Sequence, residues 1–412
     1  MDLLAPSITT TPTTRARAGA QAATTRLLFI DNLRWVMILL VISQHAAVTY
    51  SNQGKWYYNE PTHLNRLEEF IFYTYEVFLQ TFFMGILFFV AGYFVPGAYN
   101  RKGPRRFVKD RAYRLGLPTL LYMFFLAPIT GYLGAYRRAA GDPIRTFLHE
   151  YSQYILRGKF ILGTGPLWFC VVLLIFCCIY AAWRILIPSE PPPSAQGPAT
   201  PRPFPRNVAI LGFIGIIALA TFFIRLSWPV GTNFYNMQFC YFPQYVAFFI
   251  AGILAYRFNW LITITTSTGK RWGLIALVGG LAFWVALLIL GGAFNGQTAA
   301  YPGGWHWQSL ALSTLEAFAG VGISLSLLTL FRESFNSQGP RVNGRRAAFF
   351  SANAFAVYVF HAPILIAICR TMAGWHGEAL LKFAVATLLT FAVTNALSAA
   401  IFRRIPLLKN IL

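Results

Sequence analysis

Charge is what this sequence has least of. Asp, Glu, Lys and Arg make up 11% of its 412 residues, against 56% hydrophobic residues and a mean hydropathy of +0.53. A soluble globule of this size needs a far more charged surface, so a water-soluble enzyme is excluded and a membrane protein is expected. Cysteine is scarce as well. Cys170, Cys177, Cys178, Cys240 and Cys369 fall in or beside apolar stretches, without paired or metal-site spacing, and read as small packing residues. No repeat marks a solenoid, and no in-out alternation marks a transmembrane barrel.

Long apolar runs fill the rest. A hydrocarbon core of about 30 Å is crossed by roughly 20 apolar helical residues, and runs of that kind recur near 33–50, 70–95, 116–135, 166–187, 208–226, 238–256, 272–291, 309–331, 349–370 and 379–402. The expected fold is therefore all-α, a polytopic integral membrane protein with about ten transmembrane helices. Between the third and fourth runs, 138–165 is interrupted by charge and reads as an interfacial helix. Residues 1–26, rich in Thr and Ala without a cleavable apolar core, read as a disordered cytoplasmic tail. The membrane domain spans 27–402, with a Pro-rich linker at 188–206 and a second tail at 403–412.

The net charge of +21 does not point to nucleic acid, because the cations are sorted by side. With ten spans, 23 of the 34 Lys and Arg residues fall on the side of the N-terminus, and the loop 291–308 on the other side has none. That asymmetry is the positive-inside signature and predicts both termini in the cytoplasm. Arg137, Arg138, Arg145, Arg157 and Lys159 are the exception, left on the outer side.

Against this background four groups stand out. "DNLRWVMILLVISQH" carries Arg34 and His45 eleven residues apart on one helix, about 16 Å along its axis, with Arg34 at the cytoplasmic mouth and His45 deep in the membrane. An imidazole at that depth needs a partner or a wet cavity. Spacing alone does not separate a working histidine from one hydrogen-bonded to a neighbouring helix. Asp31 reads as a helix cap or a local partner of Arg34. "RAYR" places Arg111 and Arg114 three apart at the start of the third span, either setting topology or gripping a polyphosphate. His361 in "YVFHAPIL" and Glu316 in "STLEAFAGVG" are further polar groups inside spans. His361 is either a partner of His45 or an interhelical hydrogen-bonding residue, and Glu316 is either paired with a buried cation or part of a site. Trp168, after "GTGP", reads as an interfacial anchor of the fourth span. A phosphorylated donor held on Arg34, Arg111 and Arg114 would reach His45 if it carried a long arm, and coenzyme A has that shape.

The Arg-x10-His of "DNLRWVMILLVISQH", the Arg-x-x-Arg of "RAYR", "GPLWFCVVLLIF" and "YVFHAPIL" resemble the membrane acyltransferase family 3, and are most similar to its stand-alone members grouped with glucan-biosynthesis succinyl-transfer proteins. The resemblance covers about 27–402. It implies an integral membrane O-acyltransferase of the plasma (inner) membrane, moving an acetyl- or succinyl-class group from cytoplasmic acyl-CoA to a cell-envelope carbohydrate or lipid-linked hydroxyl acceptor. It implies His45 and Arg34 as catalytic motif residues; His361 and Glu316 stay accessory candidates as polar groups inside spans. Arg111 and Arg114 would hold the donor with Arg34. No metal and no nucleic-acid partner are expected. His45 would serve as general base or as acyl-accepting nucleophile. Two other readings remain open at this point: a transporter or flippase of envelope intermediates, and a haem protein using His45 and His361 as axial ligands.

Overall fold

The computed structural model describes residues 27–54, 56–135, 142–187, 201–335 and 345–405. The expected tail at 1–26, most of the linker, Arg137, Arg138 and the last residues of the second tail lie outside the described residues. Within them the chain is all helical apart from an isolated bridge between Phe234 and Met237. Ten helices are long and apolar enough to cross a membrane. The chain is a multi-pass membrane protein, as the composition requires.

The spans are α1 (Leu28–Tyr50), α2 (Arg66–Lys102), α3 (Pro104–Ala135), then α5 (Gly165–Leu186), α6 (Asn207–Arg225), α7 (Phe239–Phe258), α8 (Thr266–Leu290), α9 (Trp307–Phe335), α10 (Arg345–Thr371) and α11 (Ala379–Arg404). Between α3 and α5 lies α4 (Pro143–Leu156), a short amphipathic helix capped by Asp142 with no fully buried residue, which fits the expected interfacial helix. Several helices run past their apolar runs into charged ends. α2 begins at a capping box, in which Asn65 accepts from the Glu68 amide at 2.9 Å and Glu68 accepts from the Asn65 amide at 3.1 Å, and it ends beyond Arg101.

Glycine sets the closest crossings. A Cβ on Gly92 would lie 2.2 Å from the Phe249 carbonyl oxygen, and one on Gly252 would lie 2.1 Å from that of Phe89, so α2 and α7 touch backbone to backbone. Gly320 of α9 meets the Thr81 carbonyl of α2 in the same way. α2 is thus the inner post, and α1 packs between it and the pair α10 and α11.

Successive spans reverse direction, so the start of α1, the α2–α3 turn and the end of α11 share one end of the bundle. Contacts across neighbouring helices agree. Lys102 pairs with Asp110 at 2.7 Å, Arg332 donates to the Leu261 and Ile264 carbonyls at 2.8 and 2.7 Å, and Arg403 donates to Asn353 at 3.3 Å. At the opposite end Asn236 donates to the Leu162 carbonyl at 2.7 Å, and the Val230 amide to Pro302 at 2.8 Å. This second end carries α4 and the connector 51–65.

Candidate functional site

α1 places its polar residues by helical spacing. Asp31 sits in its first turn and pairs with Arg34 at 3.9 Å, so the local ion pair expected from sequence is present. Three turns on, the helix turns Gln44 and His45 toward a cavity of about 900 Å³ at the end of the bundle away from Arg34. His45 is half-buried and lines that cavity, together with Val41 and Val48 of its own helix.

Two aromatic rings fix the imidazole. Trp56, from the α1–α2 connector, stacks on His45 with centroids 3.8 Å apart and planes 8° from parallel. His361 of α10 stacks at 5.4 Å and 13°. Trp56 therefore covers one face of the imidazole, and the His361 ring lies beside it in a nearly parallel plane. His361 is fully buried and its Nδ1 donates to the Tyr358 carbonyl at 2.7 Å, which leaves Nε2 as a bare acceptor. The Tyr358 hydroxyl in turn donates to the Pro166 carbonyl in the turn before α5. Sequence therefore had the two histidines as candidates, and the fold brings them together.

The cavity wall is aromatic and amide-rich. Trp168 and Tyr245 stand on one side, with ring centroids 5.7 Å apart, and Gln80 of α2 donates to the Tyr245 hydroxyl at 3.0 Å. Asn236 donates to Thr164 Oγ1 at 3.0 Å across the mouth. Arg157, Lys159 and Glu150 stand at the rim on and beside α4. Gln44 Oε1, Trp56 Nε1 and His361 Nε2 are buried without a hydrogen-bond partner among the described residues. Outside the spans, burial pushes the Tyr57 phenol above its ordinary range and pushes Tyr154 up to about 12. Both cavity-lining phenols are neutral donors at physiological pH.

The remaining candidates lie elsewhere. Glu316 meets Arg225 at 2.5 Å in a buried ion pair, and Arg225 also donates to Ser313 at 3.2 Å. The Arg225 guanidinium lies over the ring of Tyr241, a cavity residue, at 5.5 Å, so this pair stands behind the wall. Arg111 and Arg114 are at the other end with Arg34, and none of the three lines the cavity. A π turn over Ala112–Gly116 rotates them apart. Arg111 is half-buried with its guanidinium 5.4 Å from the Phe107 ring, while Arg114 is exposed and pairs with Asp110 at 3.4 Å. Trp168, expected to anchor the fourth span at the interface, also lines the cavity. Trp56 has no periodic signal in the sequence, since it sits on a connector. Its position beside a polar helix end is apparent only once the chain is folded.

A bundle of ten spans around an aromatic cavity with an imidazole in its floor defines a polytopic membrane enzyme. The chain belongs to the acyltransferase 3 family, whose acyltransferase domain matches residues 27–401, and it is an acyltransferase of the non-aminoacyl kind. It is 25% identical to glucans biosynthesis protein C of Salmonella gallinarum over 392 residues, covering 92% of this chain and 93% of the relative. The protein of the same name from Escherichia coli is 24% identical over 343 residues, 82% of each chain. No solved structure matches.

Proposed function

We propose that the chain is an O-acyltransferase of the inner membrane, with domain 27–402 and both termini facing the cytoplasm, that moves an acetyl- or succinyl-class group from acyl-CoA to a cell-envelope carbohydrate. The observation that carries this reading is His45, stacked on Trp56, nearly parallel to His361 and lining the cavity. The names of the relatives and the aromatic and amide lining support a glycan acceptor. The sorting of basic residues supports a cytoplasmic donor side.

In this reading the acceptor hydroxyl reaches His45 through the cavity. Neutral imidazole takes its proton as the oxygen attacks the thioester carbonyl, and the tetrahedral intermediate collapses with release of the CoA thiolate, which is reprotonated. Attack by a His45 nitrogen, giving an acyl-imidazole that the hydroxyl then opens, uses the same ring. Arg34, Arg111 and Arg114 receive the anionic nucleotide end at the basic face, with charge-assisted contacts to phosphate; because the cavity opens at the other end, the reading requires the acyl arm to pass between the helices along α1, about 16 Å, to reach His45. His361 holds the ring plane of His45. In this reading Glu316, paired with Arg225 behind the cavity wall, supports the site from outside the cavity.

The test is mass spectrometry of envelope glycans and lipids from a strain lacking the chain beside its complemented parent. A difference of one acetyl or succinyl group on a glycan supports the reading. Identical spectra, with the protein present in the membrane, overturn it.

A further inference from the structure

The connector between α1 and α2 folds back over the end of α1 and caps its last carbonyls. Asn59 Nδ2 donates to Val48 at 2.8 Å, the Glu60 amide to Thr49 at 2.9 Å, and Thr62 Oγ1 to Tyr50 at 2.7 Å. The Trp56 amide donates to Asn59 Oδ1 at 3.3 Å, which joins the stacked ring to this turn. These bonds are mostly at the surface, where each contributes about 0.5–1.5 kcal/mol.

One attachment is of another kind. Lys382, in the first turn of α11, is 2% exposed, and its ammonium donates to the buried carboxylate of Glu60. The same ammonium donates to the Trp375 carbonyl at 3.0 Å and lies 5.6 Å from the Tyr50 ring centroid. A buried cation and a buried anion that satisfy each other are held hard, since separating them strands a charge away from water. Three residues of connector, Tyr57 to Asn59, separate Glu60 from Trp56.

We propose that Lys382 is a positioning residue for His45: through Glu60 it pins the connector to α11 and so holds Trp56 on the imidazole. Without the ammonium, the Glu60 carboxylate is buried unpaired and moves toward water, carrying the connector outward and lifting Trp56 from the ring. Arg370, whose guanidinium lies 4.9 Å from the Tyr58 ring centroid, is a second tie from α10 to the same segment but engages no carboxylate there. The inference bears on the proposed acyl transfer only through His45, so its test reads the imidazole and not the reaction.

The test uses the full-length protein in detergent and the carbethoxylation of histidines by diethyl pyrocarbonate, followed peptide by peptide with mass spectrometry. Lys382→Met and Glu60→Gln are expected to raise the His45 rate severalfold, with His149 and His306 at the parent's rates. Lys382→Arg, which keeps the charge, is expected to stay near the parent. Trp56→Ala is expected to raise the His45 rate by itself, and Lys382→Met added to it to raise it no further. If Lys382→Met loosens the whole fold, seen as faster reaction at every histidine, Glu60→Gln carries the test. An unchanged His45 rate in Glu60→Gln and in any folded Lys382→Met protein overturns the proposal, as does an undiminished effect of Lys382→Met in the Trp56→Ala background.

Discussion

Arg34 and His45 stand eleven residues apart on α1, and only His45 reaches the cavity. Arg34 is held at the other end by Asp31, in the basic face that also carries Arg111 and Arg114. One helix therefore links a cation-rich end to an imidazole that opens the opposite way.

Replacing His45 by Ala removes the proposed base together with the ring on which Trp56 stacks, so activity is compared at equal amounts of folded protein. Acyl transfer should fall by about 10²–10⁴-fold. The measurement is the acylated fraction of envelope glycan in complemented cells, read beside the amount of protein in the membrane. Normal acylation with His45→Ala would remove this residue from the mechanism.

Arg111→Ala and Arg114→Ala should each weaken acyl-CoA binding by roughly tenfold to a hundredfold, the loss of one charge-assisted phosphate contact of about 1.5–3 kcal/mol. Arg111 should matter more, because its Nε is buried without a partner among the described residues while Arg114 already pairs with Asp110. Titration of the purified protein with acetyl-CoA and succinyl-CoA measures this. Equal affinity in parent and variants would place the donor elsewhere.

Arg225→Met strands the Glu316 carboxylate behind the cavity wall and should cost about 3–5 kcal/mol of stability. Adding Glu316→Leu removes the stranded charge and should recover most of that loss. Thermal unfolding in detergent distinguishes a structural pair, rescued in this way, from a pair whose charges are needed for another purpose.

Tyr154, outside the spans, donates its hydroxyl to the Met123 carbonyl at 2.7 Å, and burial moves its phenol from an ordinary 10 to about 12. The folded protein thus keeps a proton that the unfolded chain gives up. That contribution is complete below pH 10 and is lost as pH rises toward 12. Alkaline unfolding should show this dependence, and Tyr154→Phe should flatten it.

The ten spans were legible because length and hydropathy decide them. Their ends were less so: the expected run 70–95 is the apolar middle of Arg66–Lys102, since a capped helix continues through charged turns that hydropathy does not count. His45 and His361 were legible as polar groups inside spans, and Glu316 as a group in need of a partner. Arg225 was not legible as that partner, because 91 residues separate the two. Trp56 and the Lys382–Glu60 pair were hidden for the same reason. Contacts between a connector and a distant helix leave no local pattern.

The glycine crossing of α2 and α7 divides the cavity into walls of unequal stiffness. Gln80, Met84 and Tyr245 project from two helices whose main chains are in direct contact, with no side chain between them to repack. α4 forms another wall and has no fully buried residue. Thermal breathing at the mouth therefore belongs to α4, and the traffic of bulky molecules in and out should follow that softer edge.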